Sequence, residues 1–145
     1  MRLALLLPLA LIAAACGSST ASSPTEPRPT AGPQGPPAAW IETRAGGHWL
    51  GFSSFCWSHR KSIGVCADAV TPKCSQQSVP KLSVEKGERV RVHLGYTPVE
   101  VSVENAHATL NGRTATWRIQ QPGPFLLFTS GRGHDASYVG CGVLP

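Results

Sequence analysis

Three kinds of side chain in this 145-residue chain could do chemistry. Ser53 and Ser54, in Gly51-Phe52-Ser53-Ser54-Phe55, offer hydroxyls, but a serine nucleophile needs an activating base and an oxyanion site. The stretch lacks the closing glycine of G-x-S-x-G and its strand-to-helix setting. Eight acidic residues could in principle supply a glycosidase pair, yet most fall on outward strand positions or turns rather than facing each other across a cleft. The five histidines, His48, His59, His93, His107 and His134, include no i, i+2 or i, i+4 pair. His134-Asp135 would hold a metal only if the fold delivered His59 to it, and copper would want a methionine or free cysteine where the only methionine is Met1. These patterns predict no catalytic residue, no metal and no other cofactor.

The aromatic residues are more suggestive. Trp40, Trp49, Phe52, Phe55 and Trp57 fall within 18 residues. A small β-domain needs such rings for its core. If one or two are exposed, they form with nearby charges a recognition patch of the kind found at interface hot spots or under stacked sugars. The candidate patch is Trp57, Arg60, Asp68, His134 and Asp135; Asp68, just after Cys66, could equally cap a turn.

Positioning these residues starts at the N-terminus. Arg2 precedes an uncharged run from Leu3 to Ala15, too short for a transmembrane helix of roughly 20 residues, and Ala13-Ala14-Ala15 end it with small residues before Cys16. Ala13-Ala14-Ala15-Cys16 resembles the lipobox of bacterial lipoproteins, with Ala13 where leucine is usual. The resemblance implies a signal peptide over 1–15, lipidation of Cys16, and a location on the outer face of the cytoplasmic membrane, or on the outer membrane of a diderm cell. Two or more acyl chains hold a protein stably on a bilayer. Residues 16–39, rich in Gly, Ser, Thr, Ala and Pro, predict a disordered tether reaching about 25 Å as a coil and about 70 Å extended.

Without residues 1–15 the chain carries 12 Lys plus Arg against 8 Asp plus Glu, a net +4. The cations are scattered rather than grouped, which suits a solvated surface or attraction to anionic envelope polymers and lipid headgroups. Outside the cell no nucleic acid partner is expected; the expected partners are the membrane, through the anchor, and an envelope protein or glycan, with the chain itself a monomer. The other four cysteines, Cys56, Cys66, Cys74 and Cys141, read as disulfides in an exported domain, since no spacing gives a zinc knuckle. Four cysteines allow three connectivities and the spacing does not choose. We expect Cys56–Cys66 with Cys74–Cys141, for which chain entropy gives roughly 2.8 and 4.4 kcal/mol.

Residues 40–145 alternate. Val90, Val92 and Leu94 point one way and Arg89, Arg91 and His93 the other; Val99, Val101 and Val103 alternate with Glu100, Ser102 and Glu104. Asn111-Gly112 predicts the two central residues of a hairpin turn. Phe125-Leu126-Leu127-Phe128, apolar at every position, predicts a strand covered on both faces. Short strands with turns every 8 to 12 residues predict an all-β fold, a small antiparallel immunoglobulin-like β-sandwich of about seven strands, disulfide-stabilised.

Gly51 to Trp57, then Val65-Cys66-Ala67-Asp68 followed by Pro72, and Gly133 to Val139 resemble a family of small secreted or lipid-anchored bacterial domains with G-S-Y-C-W, V-C-x-D and G-D-A-S-Y motifs. The similarity spans most of 46–143, with Phe55 in place of tyrosine, His134 inserted in the last motif, and Cys74 and Cys141 additional. Because the pattern has only the first two cysteines, the resemblance favours the pairing above. It adds nothing about catalysis; the lack of recognisable catalytic machinery points to a non-enzymatic binding module, with an accessory subunit or inhibitor of an envelope enzyme, or a metal-binding lipoprotein, as the other readings.

Overall fold

A computed structural model of the chain describes residues 22–60, 63–69 and 71–145, and within them every side chain except those of His59, Arg60 and Ile63. The expected signal peptide and Cys16 lie outside the described residues. The molecule is an all-β sandwich of two sheets. Its strands are β1 (Trp40–Thr43), β2 (Gly46–Trp49), β3 (Gly51–Arg60), β4 (Ile63–Ala67), β5 (Lys81–Ser83), β6 (Arg89–His93), β7 (Glu100–Val103), β8 (Thr109–Asn111), β9 (Thr114–Arg118), β10 (Gly123–Gly131) and β11 (His134–Val143).

The smaller sheet runs β2-β1-β6-β9-β8 and the larger β4-β3-β11-β10-β7, with β5 beside the end of β11. All pairings are antiparallel except β5 with β11. Eleven strands replace the expected seven. The difference comes largely from the β1–β2 hairpin and β4, where glycines and polar residues interrupt the apolar alternation that marks a strand, and pairing with neighbours supplies what local pattern does not.

The core fills the space between the sheets. Ile41, Val90, Val92, Ala115 and Trp117 come from the smaller sheet and Trp57, Leu82, Phe125, Leu127, Ala136 and Tyr138 from the larger, all buried. A second apolar cluster lies outside the larger sheet, where Val79 and Cys74 cover Val139 and Cys141, with Leu126 and Val143 beside them. Both disulfides take the expected pairing. Cys56–Cys66 joins directly opposed residues of β3 and β4, and Cys74–Cys141 staples the 72–80 segment over β11; neither crosses between the two sheets.

Two local expectations are corrected. The β8–β9 turn is centred on Gly112-Arg113, not Asn111-Gly112: Asn111 pairs with Thr114 as a strand residue, and of the two central residues only Gly112 has positive φ, at 59°. Glycine in the first central position is the requirement of the II′ form of the hairpin. The Phe125–Phe128 run is covered on both faces only as far as Leu126. Phe125 and Leu127 are buried, whereas Phe128 is 43% exposed because the cover over the sheet stops at Leu126.

Residues 22–39 form no strand, but they lie on the sandwich. Trp49 Nε1 donates to the Glu26 carbonyl at 3.0 Å, Tyr138 Oη donates to the Pro37 carbonyl at 2.8 Å, and Ala38 and Ala39 are buried. The packed domain thus begins before Trp40.

Candidate functional site

Strand alternation divides the expected patch between two faces. Trp57 is opposite His134 and Cys56 opposite Asp135 across β3 and β11, so Trp57 and His134 share the inner face while Asp135 points outward. Trp57 is 7% exposed, and its ring lies 4.2 Å from that of His134 and 4.7 Å from that of Tyr96. It is a core residue, the role a small sandwich demands of such a ring. His134 is spent on packing against Trp57, and Asp135, on the opposite face, cannot share a ligand with it. Arg60 occupies the last position of β3, and its side chain lies outside the description. Asp68 and Asp135 line one groove on the outer face of the larger sheet.

This groove of about 450 Å³ runs across β3, β11, β10 and β7, with Asp68, just past the end of β4, at its margin. The outward positions of these strands supply hydroxyls from Ser54, Ser102, Ser130 and Ser137, carboxylates from Glu100 and Asp135, and the ring of Phe128, and Asp68 adds a third carboxylate. A second depression of about 400 Å³ shares Ser54, Ser102 and Phe128 and continues toward Pro72. Together they make one elongated trough with Phe128 between its halves. The Cys56–Cys66 bond lies along one wall.

Hydrogen bonding fixes part of the lining. Ser137 Oγ donates to the Ser54 carbonyl at 2.9 Å, which commits its proton. Ser54 Oγ, 3.0 Å away, then donates to Ser137 Oγ. Ser53 and Ser54 form with Ser137 a β-bulge in β3, two residues opposing one, and a bulge re-aims side chains out of the regular pleat. Both hydroxyl protons are thus committed within this pair. Among the described residues no three His, Cys, Asp or Glu side chains converge to hold a metal ion.

The inner face behind the trough is held by hydroxyls. Tyr96 Oη donates to Thr129 Oγ1, whose own proton goes to the Ala136 carbonyl at 2.9 Å. Burial raises the pKa of Tyr96 above the ordinary phenol value, with Thr129 partly opposing it, and burial raises that of Tyr138 further.

Sequence reasoning missed Ser130, Ser137, Glu100, Ser102 and Phe128 as a group. Their signal was present: each is an outward position in an alternating strand, and in β10 Phe128 and Ser130 share a phase opposite to Leu127 and Thr129. What was absent was the order of strands in the sheet, which alone brings β4, β3, β11, β10 and β7 together. No family model matches the chain, and no curated protein or solved structure is similar to it.

Proposed function

We propose that the chain is a non-enzymatic, lipid-anchored binding module on the outer surface of a bacterial membrane, and that the trough on its larger sheet seats an envelope glycan. The trough's lining supports this reading. Hydroxyls and carboxylates offer donors and acceptors at fixed positions to a polyhydroxylated chain, and the Phe128 ring offers a face for a sugar ring. A protein-binding patch would carry more aromatic and aliphatic surface and fewer charges at its centre. The elongated form, two depressions sharing Phe128, suits a chain of linked units rather than one small molecule. The export and anchoring part of the reading rests on the N-terminal run and Cys16; two disulfides are consistent with an oxidising compartment.

The test is calorimetric titration of the exported chain with purified soluble cell-wall glycan fragments. Saturable binding is expected, weakened at least ~10-fold by Phe128→Ala, a change worth about 1.4 kcal/mol, with the melting temperature nearly unchanged because Phe128 is partly exposed. Absence of saturable binding, or binding indifferent to Phe128→Ala and Asp135→Asn, overturns the glycan seat. Membrane fractionation of Cys16→Ala tests the anchor separately: release into the soluble fraction is expected, and retention overturns it.

A further inference from the structure

The outer face of the smaller sheet carries the opposite charge from the trough. β6 turns Arg89, Arg91 and His93 outward, and β9 turns Arg118 outward on the same face. These cations look scattered in the sequence; register alone gathers them. Arg89 stands directly opposite Arg118, both exposed, and like charges in that relation repel. Glu42 is the one carboxylate among the described outward positions of these strands, 3.5 Å from Arg91 and 3.3 Å from His93. No anionic side chain answers Arg89 or Arg118 in the described structure; Arg118 donates to the Gly87 carbonyl at 2.8 Å.

The N-terminal segment arrives on this same face. A Cβ on Gly47, directed outward like Glu42 opposite it, would strike the Ser22 carbonyl oxygen. Trp49 holds the Glu26 carbonyl, and Arg28 lies 5.8 Å above its ring. Five residues separate Cys16 from Ser22, six Cα-to-Cα steps that span at most about 20 Å. With the anchor at Cys16 the segment leaves the sandwich on its basic side, close to the bilayer rather than ~70 Å away.

We propose that the outer face of the smaller sheet docks on anionic phospholipid headgroups, holding the sandwich flat against the membrane with the trough turned to the cell wall. This rests on the reading of Cys16 as the lipid anchor. The geometry assigns Arg89 and Arg118 as the main headgroup contacts, with Arg91 partly neutralised by Glu42.

The test uses the exported chain carrying Cys16→Ser, so that no acyl chain contributes, with vesicles of phosphatidylcholine alone or with about a third phosphatidylglycerol. Co-sedimentation with the anionic vesicles only is expected, abolished at about 0.5 M NaCl. Arg89→Gln with Arg118→Gln weakens it by about 30-fold, while Lys73→Gln with Lys81→Gln, on the other sheet's side, leaves it unchanged. Equal binding to both vesicles, no binding to either, or equal loss in the lysine control overturns the docking face. Intact mass of the native chain from membranes reads the lipid on Cys16 independently. An unlipidated Cys16 overturns the anchor and the tether argument, whereas a lipidated Cys16 with no anionic preference overturns the docking alone.

Discussion

Tyr96 and Tyr138 keep their protons in the folded chain because burial penalises the phenolate. In the unfolded chain both ionise near pH 10. Above that pH the unfolded state therefore binds fewer protons than the folded one, and stability falls as pH rises. Below it this contribution is complete and flat. Urea midpoints at pH about 8 and about 10.5 check the sign; a midpoint that rises or holds at the higher pH contradicts it. Tyr138→Phe removes the bond to the Pro37 carbonyl, costs about 1 kcal/mol at neutral pH, and reduces the alkaline slope. Glu88 shows what residue type alone conceals. It reads as an exposed turn carboxylate, yet it is buried, accepting from the Arg44 N–H at 2.6 Å and the Glu85 N–H at 2.9 Å. Glu88→Ala orphans two backbone donors and costs about 2–4 kcal/mol by denaturant titration, whereas breaking the exposed Arg44–Glu85 pair costs less than about 1 kcal/mol. Likewise His134-Asp135, adjacent in sequence, looked like one site and is two, because alternate strand residues face opposite ways. Trp57→Ala should cost ~3–5 kcal/mol as a core truncation, so lost binding in that variant says nothing about a surface patch.

At the scale of elements, a strand with a clean alternation was legible: β6 buries Val90 and Val92, the residues its pattern assigns, and Leu94 just past it is buried too. β1, β2 and β4 were not: a four-residue strand with polar or glycine residues, as β1 and β2 are, and the five-residue edge strand β4 are too short to show a period and are held by their neighbours. The β8–β9 turn gives a sharp test of the corrected register. Gly112→Ala places a Cβ at φ 59° and should cost about 1 kcal/mol, while Asn111→Thr, at an extended strand position, should be neutral or slightly stabilising. The reverse ranking in thermal melts would return the turn to Asn111-Gly112. The two disulfides divide labour by loop length. Cys56–Cys66 closes a sequence separation of 10 and Cys74–Cys141 one of 67. The second also fastens the cover over Val139, so Cys74→Ser with Cys141→Ser should lower stability more than Cys56→Ser with Cys66→Ser, by roughly 1–2 kcal/mol. Equal losses would mean that the cover stays in place without its staple.

The whole molecule has two charged sides, carboxylates along the trough and arginines on the opposite sheet, and neither can be read without the sheet order. Composition gives only a net positive charge; it cannot say that Arg89 and Arg118, 29 positions apart, stand side by side. The N-terminal segment carries the same lesson. Its Pro, Ser and Gly content predicts a free tether, and over 22–30 what overrides that prediction is one indole donor and one surface: Trp49 takes the Glu26 carbonyl, and Gly47 lacks the side chain that would exclude Ser22. The 22–30 strap is thus held by few contacts and can be released without touching the core, whereas Pro37, Ala38 and Ala39 belong to the sandwich. Trp49→Ala removes both the donor and the ring beneath Arg28. Amide exchange over 22–30 should then accelerate at least ~10-fold, about 1.4 kcal/mol of local opening, while exchange in β6 and β9 stays as it was. On the proposed anchor at Cys16, the freed segment adds its own length to the six residues that precede Ser22, so the domain should also stand farther from the bilayer. If exchange over 22–30 is unchanged by Trp49→Ala, the strap is held elsewhere, and the short reach from Cys16 must be explained by the Pro37 and Ala39 contacts instead.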